Sequence, residues 1–465
     1  MNVDSITVAA VAGGTAQGPA ASFSGIALDS RACREGDLFV AIKGPKNDGH
    51  DHLVEALQKA SGALVSRSVP LGSLPAGSTL VKVSDTLAAL RAVAKYVRDT
   101  IRPKVVAVAG SVGKTTTKEM TAGLLASRFV VAKTTGNLNN TIGLPAEVAR
   151  MPEGTEVAVL EMGMSTPGEV RLLSELVRPD VGVITAIAPE HMMNFKSLDG
   201  VREANAEILA GMGRESVFVA NADNAGSSAI AKRHAGKVLR FAVDAPPGSA
   251  DVVASEATSD GGSTQFLLHV GGETHVASLP LPGRHNLSNF VAAAAAATAL
   301  GMTGAEIVHA ALALAPSPHR GEVLSLPGDV LVYDDTYNSS PVALEAAYRA
   351  FEALAGARRK VALVGDMLEL GRFAEEYHLA AGRELAGRAD LLVLVGPESR
   401  RIAEGARRGG QAAGAIVECA DVAAAIGKVA PEIQPGDAVF AKGSRGIALD
   451  RFVDALRKGK KGGAS

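Results

Sequence analysis

Cysteine is nearly missing from this chain of 465 residues: only Cys33 and Cys419 occur, far apart, which leaves no disulfide framework and no cysteine metal spacing. Net charge is missing as well. The 47 Lys+Arg against 49 Asp+Glu create no overall field for nucleic acid or an anionic membrane, so ligand sites must be local. Long apolar runs are also lacking. The most apolar stretch, VAAAAAATAL at 291–300, is too short and alanine-rich to span a bilayer, and the opening MNVDSITVAAVAGG has no basic n-region. These absences predict a soluble protein of a reducing cytoplasm, with no nucleic-acid partner and no stable membrane insertion. The basic tail RKGKKGGAS, 457–465, reads as a solvated end without function. Chain length suggests about three domains.

What is present is a phosphate cradle. Residues 105–117, VVAVAGSVGKTTT, run from an apolar strand through a glycine-flanked turn into Lys-Thr-Thr and a helix. Gly110 and Gly113 let backbone N–H groups point inward, and the helix beginning near Lys114 adds its partial positive charge. Lys114 is placed to reach the β- and γ-phosphates, and the Thr115 hydroxyl to ligate Mg2+. The loop is shorter than the Walker spacing, because the position five before Gly113 is Val108. A dinucleotide fold needs three glycines and an acidic residue ending the next strand, and has no use for a lysine here. ATP with Mg2+ is the expected ligand.

Around this loop the pattern divides. Residues 1–84 carry short strand-like runs (37–42, 62–66, 79–83) and one helical stretch, reading as a small α/β domain. After a helix at 86–99, strands at 156–163, 181–187 and 216–221 alternate with helices, so a parallel sheet is predicted with ligands at its carboxyl ends. Paired glycines between 250 and 282 predict antiparallel hairpins, and an alanine-rich helix follows. Residues 315–329, rich in proline and turn formers, are the linker candidate. A third α/β unit has strands at 330–335, 360–366, 391–396 and 437–443.

Glu161 closes one central strand and His191, in ITAIAPEHMMNF, is read as ending the next; with phosphate oxygens they make a hard-cation site. Each residue alone is ambiguous, since a strand-end Glu also caps helices and a lone His is often structural. The loop KTTGNLNNTIGLP at 133–145 offers Thr135, Asn137 and Asn139 to a polar substrate, or simply satisfies its own backbone. In HNLSN at 285–289, Asn286 and Asn289 lie three apart at a helix start and share a face.

The order of these motifs resembles the Mur ligase family of peptidoglycan synthesis over nearly the whole chain. LDSRACREGDLFVAIKG, DGHDH, GSVGKTTTKEM, TTGNLNNTIGLP, LEMGMSTPGEV, GRHNLSNFVAAAAAA, SPHRGEV, VYDDTYNSSP, VGDMLELG and FAKGSRG occur in sequence. The resemblance implies an ATP-dependent amide ligase of three domains: 1–84 for a UDP-sugar, 85–316 a central P-loop ATPase, and 317–465 a Rossmann-like domain receiving the incoming dipeptide. It further implies that Gly110, Ser111, Val112, Gly113, Lys114, Thr115 and Thr116 bind the triphosphate, that Thr115, Glu161 and His191 hold Mg2+, and that Arg320 reaches the γ-phosphate. Asn289 resembles the adenine contact and Asp335 the ribose contact, with Lys114, His191 and Arg320 acting in catalysis. Ser30, Arg31, Asp48, Gly49 and His50 resemble the uridine nucleotide contacts, although the DSR stretch reads equally as a turn with a surface ion pair.

One departure stands out. Where many members carry a lysine that becomes carbamylated, VREANAEIL has Asn205, which cannot form a carbamate. The C-terminal DMLELGRFAEEYH, 366–378, replaces the Asp-Asn-Pro-Arg motif of ligases that add diaminopimelate or lysine. That favours D-alanyl-D-alanine as the incoming substrate and UDP-N-acetylmuramoyl-tripeptide as its acceptor, with Asp366, Glu369, His378, Lys442 and Arg445 as local candidates. A monomer is expected. The alternatives are another ligase of the same superfamily, amino-acid-adding or folylpolyglutamate type, or a P-loop ATPase without ligation.

Overall fold

β-Branched and alanine-rich runs become the strands that hold the loops in place. The computed structural model describes residues 2–260 and 262–459; residues 460–465 of the basic tail lie outside them. Among the described residues the strands form sheets of two, five, nine and six strands. The five-stranded sheet, with Asp37–Val40 and Gly62–Val65 near its centre, belongs to the N-terminal segment. That segment holds two helices, Ser5–Ala12 and Leu53–Leu57, rather than the single one expected. The overlooked first helix is capped by Asp4, whose carboxylate accepts from the Thr7 N–H, and ends at left-handed Gly13.

The nine-stranded sheet organises the centre. Its strand Lys104–Ala109 lies between Val157–Glu161 and Val181–Ile184, parallel to both. The chain crosses to opposite sides of this strand, so a crevice opens at its carboxyl end, where the phosphate loop sits. At the far side, strands Val252–Asp260, Ser263–Val270 and Glu273–Leu279 pair antiparallel, as the paired glycines predicted. The alanine-rich helix Arg284–Ala299 is sunk in the core, with Ala292 through Ala297 fully buried in the cluster that includes Met120, Leu124 and Leu125 of the phosphate-loop helix Lys114–Leu125. Methyl side chains let helix and sheet approach closely. No described helix is long and apolar enough to cross a membrane.

The six-stranded sheet is parallel apart from one hairpin. Here the linker reading needs correction: its second half, Glu322–Leu326, is an edge strand paired with Val330–Asp335. The turn uses left-handed Gly328 and Asp329. A further strand, Ile416–Cys419, has only a short, mixed pattern and was not anticipated.

Candidate active site

The phosphate loop has the backbone its glycines require. Gly110 (φ 131°) passes so close to the next strand's extension that a Cβ would lie 2.2 Å from the Thr185 hydroxyl, and a Cβ on Gly113 (φ 83°) would lie 2.2 Å from Asn289 Oδ1. Asn289 therefore sits directly over the loop, reached also by the Thr117 hydroxyl at 3.3 Å. The buried alanine helix fixes that position, and its Asn286 is spent inside, donating to the Pro282 carbonyl at 2.8 Å.

Lys114 is turned back on its own loop. Its amine donates to the Gly110 carbonyl at 2.7 Å, the Ser111 carbonyl at 3.1 Å and Glu190 Oε1 at 2.8 Å. Glu190 escaped the sequence reading; its place beside His191 was the available signal. Its other oxygen is buried without a partner. The strand expected to end at His191 stops at Ile184 instead. The chain follows the sheet a little further, with the Thr185 N–H donating to Ala109 and the Ser111 N–H to Ala186, before the Ile187 and Ala188 N–H groups turn to the Asn224 and Ser111 side chains. His191 then sits in a turn at φ 50°.

Glu161 does end its strand, and it is 2% exposed. One oxygen accepts from Asn139 Nδ2 at 2.7 Å, and the other is buried without a hydrogen bond, 4.0 Å from the Lys118 amine. Lys118, fully buried one helical turn beyond Lys114, was also missed. It donates to the Thr134 carbonyl at 2.7 Å and pairs with Glu119 at 2.6 Å. A buried carboxylate with a free oxygen, a hydroxyl and an imidazole fit a hard divalent cation completed by phosphate oxygens.

His191 touches carboxylates on two sides: Nε2 lies 3.4 Å from Glu190, and Nδ1 pairs with Glu369 of the C-terminal unit. Burial lowers its pKa, but the bond to Glu190 and the charges of Glu190 and Glu369 outweigh that and the opposing Lys114, holding it above the ordinary value. His285 goes the other way. Desolvation pushes it down to about 4, against the pull of Asp335 and with the help of Lys442.

A cavity of about 530 Å³ unites most of the predicted residues: Ser111, Val112, Gly113, Lys114, Thr115 and Thr116 on the loop, Asn137, Asn139, Glu161 and His191 beside it, and Asn289, Arg320 and Asp335 opposite. Arg320 stacks 3.8 Å over the Tyr337 ring, and Asp335 pairs with buried Lys442. Other predicted residues lie elsewhere. Thr135 is held by Glu147, Ser30 donates to Glu55 at 2.7 Å, and Arg31 forms an ion pair with Asp29 while 81% exposed. Asp48 bonds His50 Nδ1 at 2.6 Å, the Ser66 N–H donates to His50 Nε2 at 2.9 Å, and Gly49 leaves no room for a Cβ against Ile42. Asn205 is buried outside the cavity lining, donating to the Val201 carbonyl at 3.0 Å.

Of the C-terminal candidates, Glu369, Lys442 and Arg445 line the cavity. Asp366 and His378 are fully buried. His378 accepts from the Met367 N–H at 3.0 Å, and desolvation raises the Asp366 pKa. Among the described residues, the one cluster of three metal-competent groups, His319, Glu322 and Asp334, has its Asp334 carboxylate engaged by His319 and Thr336.

Residues 108–297 match the Mur ligase middle domain and residues 319–445 the Mur ligase glutamate ligase domain. The chain is 34% identical to the UDP-N-acetylmuramoyl-tripeptide–D-alanyl-D-alanine ligase of Bacillus subtilis (strain 168), over 93% of each. It is 35% identical to that of Escherichia coli (strain K12), over 96% of each. Among solved structures, MurF from Acinetobacter baumannii superposes with a TM-score of 0.88 at 28% identity, covering 98% of this chain and 99% of that one. MurF from Thermotoga maritima in complex with ADP gives 0.81 at 28%, covering 95% and 98%. With both domain models matched in order around one cleft, the chain belongs to the Mur ligase family.

Proposed function

We propose that this ligase joins D-alanyl-D-alanine to UDP-N-acetylmuramoyl-tripeptide with ATP, in cytoplasmic peptidoglycan precursor synthesis, as a monomer. The observation that carries the reading is the shared cavity, where Lys114, Thr115, Glu161 and His191 from the nine-stranded sheet's side face Arg320 and Asp335 from the six-stranded sheet's side. We divide the chain at residues 84 and 316 into uridine-nucleotide, ATP and dipeptide domains. That division agrees with the separate sheets and with the two matched models.

A carboxylate resists attack by an amine, so ATP must first convert it to an acyl phosphate, releasing ADP; the dipeptide's amine then attacks the acyl carbon, forming the amide and displacing inorganic phosphate. The loop amides of Gly110 to Thr116 cradle the phosphates, and Lys114, released from Glu190, neutralises charge that would repel the attacking carboxylate. Thr115, Glu161 and His191 would hold Mg2+, which when bound offsets phosphate charge. Arg320 reaches the γ-phosphate, Asn289 the adenine and Asp335 the ribose. Asn137 and Asn139, with Thr135 behind them, face the tripeptide end of the acceptor. Ser30, Arg31, Asp48, Gly49 and His50 attend its uridine end.

An ADP-release assay tests this directly. Turnover should require both UDP-N-acetylmuramoyl-tripeptide and D-alanyl-D-alanine, with the lengthened peptide seen by mass spectrometry; equal ATP turnover without either partner would sink the reading.

A further inference from the structure

We propose that Glu369 is a positioning residue for His191, reaching it from the other side of the cleft. The inference rests on reading that cleft as a nucleotide and cation site. Two loops meet there, each with a non-glycine residue in the left-handed region: His191 at φ 50° and Glu369 at φ 66°. Such backbone persists only where its surroundings over-determine it.

The contact is tight. The Glu369 carboxylate takes His191 Nδ1, and its carbonyl accepts from the Met193 N–H at 3.1 Å. Gly371 comes so near Met193 that a Cβ would lie 2.8 Å from its Cα, and Arg372 donates to the Lys196 carbonyl at 3.1 Å. An Nδ1–H given to a carboxylate fixes the imidazole plane and leaves Nε2 as the ligand nitrogen, the arrangement that raises a metal-binding histidine's basicity. Nε2 is also the nitrogen on the Glu190 side, 3.4 Å from that carboxylate.

Glu369 follows a strand of the six-stranded sheet, whereas His191 follows a strand of the nine-stranded one. The carboxylate that holds His191 Nδ1 therefore comes from across the cleft. Cation affinity thereby depends on this one side chain reaching over, rather than on every contact between the two loops.

Calorimetric ADP binding at graded Mg2+, without any peptide, tests the proposal. Glu369→Ala should raise the half-saturating Mg2+ about tenfold while leaving metal-free ADP binding unchanged. Glu369→Gln, which keeps an acceptor for Nδ1–H, should recover most of that loss. Arg372→Ala severs another bond between the same loops and should match the wild type. A Glu369→Ala value within about twofold of wild type overturns the proposal, as does an equal shift from Arg372→Ala. Wild-type ADP binding that ignores Mg2+ would instead overturn the cation reading of the cleft, and this inference with it.

Discussion

Neutralising Glu190 should tighten metal-free nucleotide binding. Lys114 and Glu190 lie 2.8 Å apart, with side chains 14% and 15% exposed. At an effective dielectric of about 20 their gross attraction is about 6 kcal/mol, most of which is offset by desolvation of the two groups. An incoming phosphate must take Lys114 away from this partner and then face the abandoned carboxylate as a like charge. Glu190→Gln removes both obstacles, and we expect about 1.4 kcal/mol, a roughly tenfold lower Kd for ADP. Titration calorimetry in the presence of a chelator measures it. The gain should shrink as salt rises, because part of the field crosses open cavity. Unchanged or weaker ADP binding by a variant that melts like the wild type would refute the idea that Glu190 competes with phosphate for Lys114.

Three further outcomes follow from other contacts. Gly113→Ala should lose ADP binding and about 2–3 kcal/mol of stability, combining left-handed strain with displacement of Asn289; wild-type melting and affinity together would contradict this. His285, with a folded pKa of about 4 against an ordinary 6.5, should cost stability as pH falls through that interval, since the unfolded chain takes up the proton first. A His285→Asn variant should flatten that part of the pH–Tm curve, and an unaltered acid slope would remove His285 as the cause. Because Asn205 cannot be carbamylated and lies outside the cavity lining, turnover should not respond to added bicarbonate; stimulation would show that a carbamate forms on another side chain.

The phosphate loop was legible because strand, glycines, lysine and helix are consecutive in sequence, and local spacing alone dictates such a cradle. That Glu161 ends a strand, and that the run at 252–279 is antiparallel, were readable from local pattern too. Glu190 and Lys118 were not, since their meaning depends on which side chain they meet across the fold. The edge strand Glu322–Leu326 hid behind prolines that begin the segment but do not extend into the strand itself. His191 lies beside the cleft, yet its strand runs short of the apolar pattern because the Ile187 and Ala188 N–H groups go to the Asn224 and Ser111 side chains instead of a neighbouring strand. In the N-terminal unit, only the family resemblance marked Ser30 and His50, and the structure engages them with Glu55, Asp48 and Ser66.

Arg320 and Asp335 flank a single hairpin whose register sets Glu322 opposite Asp334. They ride on it together, so the nucleotide contacts proposed for them would form and break as one. Release should accordingly proceed in a single exponential phase, with no lingering half-held species.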